Sequence, residues 1–159
     1  ITQAGENYAG LISKLVYLTA FIPDNNESRF DLDGGGAEGS LSGQYRQFSG
    51  DNKTMTIQDE GVKPTFYADC DDETVDWVKE RLCPQATLIA QTKVQTSDAG
   101  WGSIPRAYIE CTEDRAIPIA QQRACWEAHP CDTVITMETS HSPFMSAPEA
   151  LADHLHSLA

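Results

Sequence analysis

Basic side chains are scarce in this sequence. Its 159 residues carry 11 Lys plus Arg against 24 Asp plus Glu, a formal charge of −13. Such a surface repels phosphate backbones, and no basic patch interrupts it, so nucleic acid is not an expected partner. Long apolar runs are also missing: nothing approaches the roughly 20 residues of a membrane-spanning helix, and no membrane association is expected. No signal-peptide pattern is present. Cofactor fingerprints are absent, because Gly34-Gly35-Gly36 lacks phosphate-binding spacing and follows no strand; it reads as a flexible loop, and no cofactor is expected. Metal is not expected either. Cys125, His129 and Cys131 match no standard zinc spacing and lack a fourth ligand, while His154 and His156, two apart on an expected helix, do not share a face.

Five cysteines form no even framework, so at least one is free or pairs with another chain. Cys111, ending an apolar run, reads as a small buried residue. A Cys125–Cys131 or Cys70–Cys83 disulfide is the special role favoured for these cysteines. Asn26-Glu27-Ser28 and Asn52-Lys53-Thr54 match the glycosylation triplet. Together these features leave the compartment open, leaning towards secretion over the cytoplasm. The first residue is Ile1, which leads to the expectation of a chain cut from a longer precursor.

What is present is an alternation of strands and helices. Lys14 to Phe21 is a near-continuous apolar run closed by Pro23, as expected for a parallel strand covered on both faces. Arg106 to Cys111 and Asp132 to Glu138 read as two more such strands. Between them, Ile119 to Glu127 reads as a crossover helix started by Pro118. Pro148 to Leu158 is a closing helix with Leu151, Leu155 and Leu158 on one stripe. Ile1 to Tyr8 reads as the tail of a helix ended by Gly10. The fold class is therefore α/β, with half of a doubly wound parallel sheet bearing helices on both faces.

The intervening part behaves differently. It holds a Gly- and Ser-rich loop and short amphipathic pieces, Asp72 to Leu82 and Gln85 to Gln95, and no strand of matching quality. Residues 1–23 and 103–159 are thus expected to form the core and residues 24–102 an inserted helical cap that dries a substrate pocket. Three strands make a poor independent sheet, since one edge would expose a buried-type strand, so the chain is expected to complete a larger folded unit.

The acid-rich turn Cys111-Thr112-Glu113-Asp114 follows one strand, and Ser140-His141-Ser142-Pro143 follows the next. Taken alone, Asp114 could be a cap-like acid near Pro118, with Glu113 as the neighbouring acid, and His141 a loop histidine. With Ser13 to Pro23, Phe66-Tyr67-Ala68-Asp69-Cys70 and Ile117-Pro118, however, the motifs resemble, in order, the α/β-hydrolase group of plant methyl esterases, hydroxynitrile lyases and microbial esterase relatives. The resemblance implies the C-terminal half of an α/β-hydrolase sheet in which Asp114 and His141 are the acid and base of a Ser-Asp-His triad. In that family the serine stands in a Gly-x-Ser-x-Gly elbow before the helix that Ile1 to Gly5 resembles. It would lie with the oxyanion-hole amides on a separate N-terminal chain of the same precursor, roughly a hundred residues long.

The activity implied is hydrolysis of a small carboxylic ester or lactone through an acyl-enzyme. Phe21, Phe66, Tyr67, Trp77, Trp101 and Phe144 are the candidate substrate-binding residues. Ser28, Ser97 and Ser103 sit on no strand-turn-helix elbow and are not expected nucleophiles. Two alternatives compete. A hydroxynitrile lyase is disfavoured by Ser142, where that branch has a lysine. A non-catalytic ligand-binding protein on the same scaffold is disfavoured by the intact Asp114 and His141.

Overall fold

In a computed structural model, residues 1–33 and 37–159 are described; the Gly34-Gly35-Gly36 loop lies outside them. The β-branched and apolar runs form a parallel sheet of β1 (Leu15–Leu18), β5 (Arg106–Cys111) and β6 (Thr133–Met137), in the order β1-β5-β6. Tyr17 registers with Tyr108, and Ile109 with Ile135. Along central β5, successive side chains alternate between two cores. Tyr108 joins Leu15, Tyr17, Ile22, Trp101 and Cys125 on one face, while Ala107, Ile109 and Cys111 join Met137, Leu151 and Leu158 on the other.

α1 (Thr2–Tyr8), α7 (Ile119–Ala128), the short α8 (Pro143–Ser146) and α9 (Pro148–Ser157) complete this part. Strand β1 is shorter than expected because Thr19 turns out of it at φ 37°. That left-handed backbone is uncommon for a β-branched residue and ends the extended run. All five cysteines are free, which corrects both expected disulfides: Cys125 is buried in the core and Cys131 only half-buried, while Cys70 is buried and Cys83 exposed.

Residues 24–102 hold α2 (Arg29–Asp33), α3 (Ser42–Tyr45), α4 (Asp59–Phe66), α5 (Asp72–Lys79) and α6 (Thr87–Gln91). They also hold β2 (Arg46–Phe48), β3 (Thr54–Ile57) and β4 (Gln85–Ala86), an antiparallel sheet where the sequence shows no strand of the quality of the core strands. Two to four residues are too few to display a period-2 pattern. The turn joining β2 and β3 uses Asn52 at φ 56°, a conformation asparagine tolerates. The amphipathic piece Gln85 to Gln95 is divided: its first two residues pair with β3, and only Thr87–Gln91 is helical. Asp71 caps α5 by accepting from the Thr74 amide at 2.7 Å.

One buried side chain sets the loop after β5. Gln122, fully buried on α7, accepts from the Cys111 amide at 2.9 Å and donates to the carbonyls of Cys111 (2.9 Å) and Ile117 (2.7 Å). It joins the two ends of the loop 112–117. Replacing it with leucine leaves those backbone groups unpaired in a dry interior. Gln122→Leu is expected to destabilise the protein by about 2–3 kcal/mol, read by chemical denaturation.

Candidate active site

Asp114 lies in the loop after β5, and His141 in the loop between β6 and α8, so adjacent parallel strands deliver both to the same sheet edge. Ligands of open α/β sheets bind at that carboxyl edge. Asp114 Oδ2 and His141 Nδ1 are 2.8 Å apart, with the aspartate side chain wholly inaccessible and the histidine side chain 24% exposed. Asp114 Oδ1 accepts from the amides of Ala116 (2.6 Å) and Ile117 (3.0 Å). Oδ2 also accepts from the Thr19 hydroxyl and, at 3.4 Å, from Gln122. Cap-like acid and histidine partner are therefore roles of one carboxylate, divided between its two oxygens.

A carboxylate can only accept, so Nδ1 of His141 donates, and Nε2 is left with an open lone pair. Nε2 has no hydrogen-bond partner among the described residues. Phe66 packs edge-on against the ring, with centroids 5.2 Å apart. This arrangement can take up and return a proton at Nε2 while the acid holds the tautomer.

His141 lines a cavity of about 600 Å³ together with Phe21, Phe66 and Tyr67. Three other expected lining residues lie elsewhere. Trp101 is buried in the core, its indole N–H donating to the Tyr17 hydroxyl at 2.9 Å. Trp77 is half exposed on α5, with Arg81 stacked on it at 4.1 Å. Phe144 is half exposed outside the cavity. Ser42 is the one serine in the cavity lining among the described residues, and its hydroxyl donates to the Ala116 carbonyl at 3.2 Å. The hydroxyls of Ser28, Ser97 and Ser103 bond to Asp31, Glu6 and the Gly100 carbonyl, away from His141.

Residues to which the sequence reading assigned no hydrogen-bonding role complete the site. Thr19 contributes its hydroxyl from a strained backbone; its place at the end of a strand was visible, its contact with Asp114 was not. Asp69, just after α4, accepts from the Ser140 amide at 2.9 Å and from the Ser140 hydroxyl, while that hydroxyl also lies 3.3 Å from the Phe66 carbonyl. The segment after α4 thereby clasps the residue next to His141. Burial would raise the Asp69 carboxyl, but the Ser140 hydrogen bonds outweigh it and hold the group below its usual range. A depressed folded value means the clasp is complete above the ordinary carboxylate pKa of about 4 and is lost as pH falls through the folded value. Amide exchange at Ser140 should accelerate in Asp69→Ala at neutral pH, and acidification should then add little more; protection equal to wild type would contradict the clasp.

A family model described as "Alpha/beta hydrolase family" matches residues 2–154. Methylesterase 1 of Arabidopsis thaliana is 32% identical, the match covering 98% of this chain and 63% of that protein. The Alpha-hydroxynitrile lyase of Arabidopsis thaliana is 26% identical, covering all of this chain and 65% of that protein. The crystal structure of polyneuridine aldehyde esterase superposes with a TM-score of 0.84 at 25% identity, covering 99% of this chain and 66% of that one. The chain thus spans just under two thirds of the length of each. It belongs to the alpha/beta hydrolase family and is similar to the methylesterase-like group within it.

Proposed function

We propose that this chain supplies the acid and the histidine, Asp114 and His141, of a Ser-Asp-His triad that hydrolyses a carboxylic ester or lactone. The observation that carries this reading is the 2.8 Å pair whose histidine lines a cavity, with Nε2 unpartnered among the described residues. The nucleophilic serine and the oxyanion-hole amides come from a segment outside residues 1–159. Among the described residues β1 pairs only with β5, so its other edge is available to a further strand of that segment. Residues 24–102 act as the cap: Phe66 and Tyr67 come from them and line the cavity, whose volume suits a small organic substrate.

In this mechanism His141 Nε2 takes the serine proton as the hydroxyl oxygen attacks the ester carbon. The same proton then passes to the departing alkoxide, leaving an acyl-enzyme. In the second half His141 deprotonates a water, which attacks the acyl carbon, and then returns that proton to the departing serine oxygen as the acid is released. Asp114 stabilises the imidazolium formed in each half, and its two backbone donors keep it from turning away.

The similarity to a hydroxynitrile lyase supports a second reading, cyanohydrin cleavage. The buried Ser142, where a lysine would stabilise departing cyanide, favours the esterase.

Both readings can be separated in the intact protein that contains these residues. A serine-reactive fluorophosphonate should label it and abolish turnover of short methyl esters. Asp114→Asn should lower kcat by about 10⁴-fold, because the amide stabilises the wrong histidine tautomer. Cyanide release from a cyanohydrin without ester turnover would transfer the assignment to the lyase. Full esterase activity in His141→Ala would exclude the triad.

A further inference from the structure

The cavity that holds His141 has a second chemically distinct wall, formed by Arg29, Asp33 and Arg46. Asp33 is only 4% exposed, and Arg46, whose side chain is 11% exposed, donates to its Oδ2. Those two charges compensate each other. Arg29 Nη2 stands 3.8 Å from the same oxygen, too far for a hydrogen bond, and its guanidinium donates to no protein group among the described residues. Among the described residues the cavity lining therefore holds two guanidinium groups and one carboxylate, an excess of one positive charge in a chain of charge −13. Burial pulls the Arg29 guanidinium below its usual value; Asp33 opposes that and Arg46 adds to it. Arginine remains charged, and this one, with its side chain 35% exposed, shares Asp33 with Arg46 as a looser ion pair and keeps its hydrogen-bond donors free of the described residues.

We propose that Arg29 binds a carboxylate of the substrate, so that the ester acted on at His141 is a half-ester carrying one free carboxylate besides its scissile bond. The planar fork of a guanidinium matches a carboxylate in bidentate fashion. One excess positive charge suits a monoanionic group better than a phosphate monoester, whose charge approaches −2. Met55 and Ile57 line the same cavity and offer apolar surface to the chain that joins the two functional groups. This inference rests on the hydrolase reading for its chemistry, but not for its binding.

The test compares monomethyl adipate with dimethyl adipate in the intact protein that contains these residues. The monomethyl ester should have the higher kcat/KM. Arg29→Gln should reduce the mono-to-dimethyl ratio by about ten-fold or more, about ten-fold being the loss expected for one of the two charge-assisted hydrogen bonds, and Arg29→Lys should lose less. An unchanged ratio in Arg29→Gln that melts like wild type overturns the proposal. Calorimetric titration of a His141→Ala variant with the same two esters measures binding without turnover and without touching Arg29. Tighter binding of the monomethyl ester supports the site, and equal binding overturns it. Should the wild-type protein hydrolyse neither ester while the binding preference persists, the hydrolase reading falls and the carboxylate site stands.

Discussion

The buried carboxylate of Asp114 organises the surrounding structure, because a charge with no access to water must be satisfied by the protein itself. Its two oxygens accept from the Ala116 and Ile117 amides, Thr19, Gln122 and His141. Those donors come from the end of β1, the loop after β5, the first turns of α7 and the loop after β6. A single acceptor group therefore ties together the carboxyl ends of all three parallel strands. The left-handed backbone of Thr19 is maintained within the same network: its amide donates to the Ile109 carbonyl at 2.8 Å while its hydroxyl meets Asp114. Strain of that kind persists where surrounding bonds over-determine a residue, which is the situation at this sheet edge.

Residues 24–102 act on the site through specific contacts. Phe66 packs against the imidazole, and Asp69 holds Ser140, so the histidine loop is fixed both from beneath, by the sheet, and from beside, by α4 and the residues after it. The same segment carries Arg29, Asp33 and Arg46 to the other wall of the cavity. The cavity thus joins an apolar surface, the His141 imidazole and a wall of two arginines and one aspartate. The cavity lining draws on both sequence regions: Phe21, Ile117 and His141 come from residues 1–23 and 103–159, while Phe66, Tyr67 and the three charged groups come from residues 24–102.

Much of this was legible in the residues. Strands β5 and β6, the crossover α7 and the closing α9 follow from apolar continuity and helical spacing, each within a residue or two of the observed bounds. Their order implied that Asp114 and His141 share an edge, and the family-like motifs around them pointed to a pair. The aromatic residues were less informative. Phe21, Phe66 and Tyr67 reach the cavity, but Trp101 serves the core, and Trp77 and Phe144 face outward. An aromatic ring buries apolar surface equally well against a core, a pocket or a neighbouring arginine, and residue identity does not record which. The short β2-β3-β4 sheet was hidden for a related reason: strands of two to four residues are stabilised by cross-strand partners rather than by any pattern of their own.

By itself, the sequence determined the α/β class, the parallel core strands, the acid and histidine that follow successive strands, and the acidic surface. These are properties of neighbouring residues, written in periodicity, turn chemistry and charge count. Only the tertiary structure decided that Thr19 and Gln122 fix Asp114, that Asp69 clasps Ser140, and that Arg29 shares a cavity with His141. Each of those relations joins residues that lie apart along the chain, where hydrogen-bond distance and direction depend on how finished elements pack. Short-range sequence pattern carries no information about that packing, and so the partners of a side chain appear only once the elements have met.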